Sequence, residues 1–146
     1  MSQVFYLVRH AEAEEGRGSG DAARRLTAAG RAGFARLVDS IRSHLRVRKV
    51  LTSPLARARE TAAILAGTVG ASADVEEALA SGRSAGGEIL RLGREAGDGA
   101  ALVGHNPEIA EAVVLAAGGP HRVAPGSVAA VGADDVGYRL LWLHSP

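Results

Sequence analysis

The stretch Val4-Phe5-Tyr6-Leu7-Val8-Arg9-His10-Ala11-Glu12 decides the fold. Five apolar residues in a row, rich in β-formers, read as a strand buried on both faces, the kind found inside parallel sheets. The run ends abruptly in Arg9-His10, a fixed cation followed by a group that titrates near neutral pH. Open α/β sheets bind their ligands beyond the carboxyl ends of the strands, so both residues stand where such a fold places its chemistry.

The rest of the chain supplies the partners of that strand. Thr27 reads as the N-cap of a helix whose stripe is Phe34, Leu37, Val38, Ile41 and Leu45. Gly30 and Gly33 weaken that helix and are expected to let it approach the sheet closely. A second strand is expected over Val47–Thr52. Ser53-Pro54 then reads as N-cap and first helical residue, with Leu55, Ala58, Ala62, Leu65 and Val69 on the buried face. Asp74–Leu79 is expected to hold a short strand. Ile89, Leu92 and Ala96 mark a helix interrupted by Gly93, and Ala100–Gly104 is a fourth parallel strand ending in His105. Asn106-Pro107 repeats the cap-then-proline pattern before a helix with Ile109, Ala112, Val113 and Ala116, stopped at Gly118-Gly119-Pro120. Ser127–Val131 and Tyr138–Leu143 read as a hairpin closed by Gly132–Gly137 at one sheet edge. The order βαβαβαβα followed by ββ predicts an α/β fold, a three-layer α/β/α sandwich with a mostly parallel central sheet and an antiparallel edge hairpin.

Composition sets outer bounds. With 146 residues, 47% of them apolar, one domain spanning 1–146 with one core is expected. There is no cysteine, which excludes disulfides, thiolate catalysis and cysteine zinc sites. The net charge of +1 argues against a nucleic-acid or membrane surface, so attraction for an anion must be local. No stretch approaches a membrane span and no secretory leader is evident, so a cytoplasmic location is expected. Glu14–Asp21 is polar and glycine-rich and reads as a mobile loop bordering the end of the first strand.

Three strand-to-helix junctions carry the chemistry: Arg9-His10, Ser53 to Arg57, and His105. A parallel sheet brings all three to one edge, where helix N-termini also present free N–H groups, the makings of a phosphate site. Arg57 and Arg59 near a helix N-terminus oppose the macrodipole and suggest an expected anion. Nearby arginines favour neutral imidazole, a nucleophile, and stabilise charge on a transferring phosphoryl group. These residues point to a covalent phosphohistidine intermediate but do not say which histidine attacks.

Leu7-Val8-Arg9-His10-Ala11-Glu12 resembles the signature of the histidine phosphatase superfamily, with its phosphoglycerate mutase-like fold. Ser53-Pro54-Leu55-Ala56-Arg57-Ala58-Arg59-Glu60-Thr61-Ala62 resembles its second motif, Val103-Gly104-His105-Asn106 its third, and Leu26-Thr27 with Gly30 a further common segment. The resemblance implies that His10 is the phosphorylated nucleophile. It implies too that Arg9, Arg57 and His105 bind the phosphoryl oxygens, with Ser53 capping a helix in support; no cofactor is expected, and no metal on His10, Glu12 and His105, because the flanking arginines repel a cation. The short chain is similar to the SixA-type branch of phosphohistidine phosphatases, with an open site. The general acid that many members carry soon after Leu79 is missing, since Ala80 and Ser81 stand there; Glu76, Glu77 or Glu88 would have to replace it. Its absence favours a phosphohistidine substrate, because imidazole leaves more readily than alkoxide, and it equally fits a slow or degenerate phosphomonoesterase. Expected partners are a phosphorylated protein, such as a histidine-containing phosphotransfer domain, or a small phosphorylated metabolite, with neither nucleic acid nor membrane. The rival readings are a small-metabolite phosphomonoesterase and a phosphate-binding regulatory module with little turnover. Arg59, Glu12, Glu14, His44, His121 and His144 are expected to face solvent.

Overall fold

In a computed structural model, which describes residues 2–16 and 20–146, a six-stranded sheet lies between two pairs of helices. The strands are β1 (Gln3–Arg9), β2 (Lys49–Thr52), β3 (Ser72–Val75), β4 (Ala100–Gly104), β5 (Val128–Ala133) and β6 (Tyr138–His144). The helices are α1 (Ala28–Ile41), α2 (Ala56–Val69), α3 (Gly86–Ala96) and α4 (Glu108–Ala117). The sheet order is β3-β2-β4-β1-β5-β6, with β3, β2, β4 and β1 parallel and the β5–β6 hairpin antiparallel at one edge. This is the expected α/β/α sandwich. Among the described residues no helix is long and apolar enough to cross a membrane.

Alternation along β1 explains the layers. Tyr6 and Val8 face one core with Phe34, Val38, Ala58, Ala62 and Leu65, so α1 and α2 cover that side. Phe5 and Leu7 face the other core with Ile89, Leu90, Ile109, Ala112 and Val113, so α3 and α4 cover the opposite side. Tyr6, Leu7, Val8 and Arg9 pair in register with Ala101, Leu102, Val103 and Gly104, and β2 pairs with the other side of β4. The carboxyl ends of β1, β4 and β2 are therefore neighbours. His10 N–H donates to the Gly104 carbonyl and Ser53 N–H to the Val103 carbonyl, continuing this register into the junctions.

Several local expectations change. Thr27 caps α1 as expected, accepting from Gly30 N–H, but the helix ends at Ile41 and Leu45 is buried beyond a 3-10 turn. Gly30 allows close approach to the Glu12 backbone, where an added Cβ would stand 2.3 Å from the carbonyl oxygen, and not to the sheet. β2 begins two residues late, at Lys49. Ser53-Pro54 does not start α2: Leu55 is the N-cap, and Ser53 Oγ accepts from Leu55 N–H ahead of the helix. Asn106 likewise precedes the cap position, although its Oδ1 still accepts from Ala110 N–H in the first turn of α4. β3 ends at Val75, and Glu77–Leu79 forms a 3-10 turn that buries Leu79. Of the expected Glu14–Asp21 loop, residues 17–19 lie outside the described residues, and Asp21–Ala23 forms a 3-10 turn.

Gly93 is not an interruption of α3. A Cβ there would lie 2.4 Å from the Phe5 ring, which is fully buried, so glycine is what lets α3 seat against β1. Overpacking of this kind costs about 1–3 kcal/mol, so Gly93→Ala is expected to destabilise by about that amount. Gly67, in an exposed position of α2 with nothing within 4 Å of its missing Cβ, provides the opposite case. Gly67→Ala is expected to stabilise by up to about 1 kcal/mol through helix propensity. Urea unfolding of both variants checks the opposite signs.

Candidate active site

The neighbouring carboxyl ends of β1, β2 and β4 open on a cavity of about 420 Å³ whose lining includes Arg9, His10, Arg57 and His105. The four residues singled out from the sequence thus meet in one place. The cavity also takes in Glu12, Asp21, Arg24, Ser81 and Asn106. Arg59, Glu14 and Glu12 are exposed as expected; Arg59 and Glu14 stand outside the lining, whereas Glu12 also lines the cavity and accepts from the Thr27 hydroxyl at 2.8 Å.

His10 is buried, and its Nδ1 lies 2.7 Å from the Ala11 carbonyl oxygen. A carbonyl only accepts, so Nδ1 carries the hydrogen and the neutral ring keeps its lone pair on Nε2. Burial holds the pKa of His10 down to about 4 from an ordinary 6.5. The Ala11 carbonyl works in the opposite direction, and Arg57, Arg9 and Arg24 lower it further. Neutrality thus comes first from desolvation and only then from the arginines, a different order of causes from that read in the sequence. The His105 ring lies 5.1 Å from the His10 ring, centroid to centroid, and burial, His10 and Arg57 hold its pKa down to about 3, against the opposing charge of Asp21. His105 Nε2 is hydrogen-bonded to Ser53 Oγ at 2.7 Å. Ser53, expected only to cap α2, therefore orients His105.

The arginines are held by their surroundings. Arg9 Nη1 donates to the Val123 carbonyl, and burial together with the charge of Arg122 lowers its pKa without making it neutral. Arg57 is 4% exposed, and neither Glu60 nor Thr61, its neighbours on α2, takes its guanidinium. Instead Nη1 donates to the Asp21 backbone carbonyl at 2.8 Å and Nη2 to the Asp21 carboxylate at 3.1 Å. Asp21 also pairs with Arg24 Nε at 3.1 Å. Burial works to raise the Asp21 pKa, but Arg57, by charge and hydrogen bond, and Arg24 hold it below the ordinary carboxylate range.

Asp21 and Arg24 were not found from the sequence. The available signal was their separation of three residues in a polar segment just before Leu26-Thr27, a spacing that sets an acid and a base side by side in a helical turn. Glu60 ties that segment down: its carboxylate accepts from Leu26 N–H at 3.0 Å and from Arg31 at 2.8 Å.

The acid expected near Ser81 has no replacement among the three candidates. Glu76 caps Ala78 N–H, Glu88 caps Ala85 N–H, and Glu77 is exposed; none lines the cavity. Among the described residues no three of His, Cys, Asp and Glu stand together as a metal site.

The fold and cavity define a class, an α/β protein with an uncharged histidine among arginines at the carboxyl edge of a mainly parallel sheet. Residues 5–83 match the histidine phosphatase superfamily (branch 1), and the chain belongs to that superfamily and is a phosphatase. No curated protein matches the sequence. Among solved structures, a protein from Agrobacterium tumefaciens, provisionally assigned as phosphohistidine phosphatase SixA, is 25% identical over 99% of this chain and 98% of its own, with a TM-score of 0.81. The protein histidine phosphatase SixA complexed with tungstate is 20% identical over 99% and 97%, with a TM-score of 0.85. A histidine-to-alanine variant of phosphoserine phosphatase from Entamoeba histolytica, bound to phosphoserine, is 14% identical over 98% and 97%, with a TM-score of 0.71.

Because the folded-state pKa of His10 lies below its ordinary 6.5, the unfolded chain binds more protons between pH 6.5 and about 4. Stability is therefore expected to fall as the pH drops through that window. Proton NMR is expected to show the His10 and His105 rings neutral from about pH 8 down to about pH 5, and urea unfolding across the same range checks the stability.

Proposed function

We propose that this phosphatase removes the phosphoryl group from a phosphohistidine displayed on a protein, with His10 as nucleophile and Arg9, Arg57 and His105 binding the phosphoryl oxygens. The observation that carries the reading is the state of the cavity's carboxylates. Asp21 is held ionised by Arg57 and Arg24, so it has no proton for a departing alkoxide, and Glu12, the lining's other carboxylate, has its Oε1 turned to the Thr27 hydroxyl.

The chemistry follows from the tautomer of His10. The Nε2 lone pair forms a bond to phosphorus as the substrate's N–P bond breaks, and the departing nitrogen keeps the electron pair. A leaving imidazole that carries hydrogen on its other nitrogen departs neutral, so no proton donor is needed. Arg9 and Arg57 stabilise the charge on the equatorial oxygens. Water then attacks phosphorus and passes its proton to phosphate or solvent. The N–P bond breaks and the electron pair returns to Nε2, while Nδ1–H stays on the Ala11 carbonyl throughout. The same ring is thus a good nucleophile in one step and a good neutral leaving group in the next.

The partner that fits is a phosphorylated protein such as a histidine-containing phosphotransfer domain, in a soluble cytoplasmic setting. A small phosphorylated metabolite is the second reading. It is favoured by a cavity volume of about 420 Å³, in the range of small-molecule sites, and by the phosphoserine phosphatase that shares the fold.

His10→Ala is expected to abolish turnover while circular dichroism and thermal unfolding show the fold intact, and excess chelator is expected to leave wild-type activity unchanged. Phosphohistidine protein is expected to exceed phosphomonoesters in kcat/KM by at least about a hundredfold, the order of one general-acid contribution. A steady-state panel of both substrate types measures the ratio.

A further inference from the structure

The segment between β3 and β4 contributes one residue to the cavity lining, Ser81, which is also the lining's one hydroxyl group among the described residues. Ser81 precedes Gly82, whose φ of +77° is a turn conformation suited to glycine. The turn's other bonds stay within its own segment: Arg83 N–H donates to the Ala80 carbonyl and the Ser84 hydroxyl to the Ala78 carbonyl. Among the described residues a single side chain from elsewhere hydrogen-bonds to it. Glu108, the first residue of α4, accepts from Gly82 N–H through Oε1 at 2.6 Å.

Glu108 is 8% exposed, and its Oε2 is buried without a hydrogen-bond partner among the described residues. Burying a carboxylate is costly, and the helix N-terminus offsets only part of that cost. Glu108 also stands three residues after His105, whose carbonyl accepts from Ile109 N–H, so the element that carries His105 is the one that holds the turn.

We propose that Glu108 is a positioning residue that clamps the Ser81-Gly82 turn, and that this turn forms the wall of the cavity touched by the leaving group. The charged and imidazole groups from β1, α2 and β4 surround the phosphoryl oxygens. Ser81 offers a neutral hydroxyl from a separate segment, and a hydroxyl hydrogen-bonds a departing nitrogen without transferring a proton to it. The assignment rests on the phosphohistidine reading above. It separates the two half-reactions: the turn acts while the leaving group is present, during transfer to His10, and is idle once that group has gone.

Rapid-quench kinetics with a phosphohistidine peptide tests this. Glu108→Ala is expected to slow formation of phospho-His10 about tenfold, as for loss of a charge-assisted hydrogen bond, and to leave its hydrolysis within about twofold of wild type. Glu108→Gln keeps an acceptor for Gly82 N–H and is expected to restore formation. Ser81→Ala, at an exposed position, is expected to reproduce the slow formation and carries the test if Glu108→Ala does not fold. Both half-reactions slowing together, or formation at the wild-type rate in Glu108→Ala and Ser81→Ala, would overturn the proposal. Amide exchange at Gly82, measured without substrate, separates the clamp from the substrate reading: protection is expected in wild type and Glu108→Gln and its loss in Glu108→Ala. Equal protection in Glu108→Ala overturns the clamp, whereas a wild type that never forms phospho-His10 overturns the phosphohistidine reading.

Discussion

The hydrogen bond from His10 Nδ1 to the Ala11 carbonyl, 2.7 Å long, is the constraint on which the chemistry depends. It fixes the tautomer, and with it the nitrogen that holds the lone pair. It also keeps a proton on the ring, so that in the proposed reaction the ring leaves phosphorus as a neutral molecule. The bond exists because β1 runs in register with β4 as far as Arg9 and Gly104, and His10 N–H continues the ladder by donating to the Gly104 carbonyl. One hydrogen-bond ladder therefore sets the direction of one side chain.

Around that ring the protein concentrates positive charge without letting the ring share it. Desolvation keeps His10 and His105 neutral, while Arg9, Arg24 and Arg57 remain charged. Asp21 offsets some of this charge by bridging Arg57 and Arg24. Its backbone carbonyl and its carboxylate take the two terminal nitrogens of Arg57, and two thirds of its own side chain is exposed, 66%. An acid bonded in this way orders Arg57 and has no proton to give.

Much of this was legible in the sequence because its signals are local. Five apolar residues ending in Arg9-His10 mark a buried strand and its carboxyl end, and alternation of strands and helices dictates a parallel sheet that collects His10, Arg57 and His105. What stayed hidden depends on distant pairs. Ser53-Pro54 has the grammar of a helix start, but a nearby imidazole gives Ser53 Oγ another partner, and α2 begins later. Gly93 reads as a weak point until the Phe5 ring is placed against it. Asp21 and Glu108 lie in polar or helical stretches of ordinary appearance, and their meaning comes from Arg57, 36 residues away, and Gly82, 26 residues away.

The most direct measurement is to trap the covalent intermediate. Wild-type protein mixed with phosphohistidine substrate, quenched in alkali and mapped by mass spectrometry, is predicted to carry one phosphoryl group on His10, formed and lost at rates that account for turnover. Turnover without phosphorylated His10, or a phosphoryl group accumulating on another residue at the catalytic rate, would contradict the account.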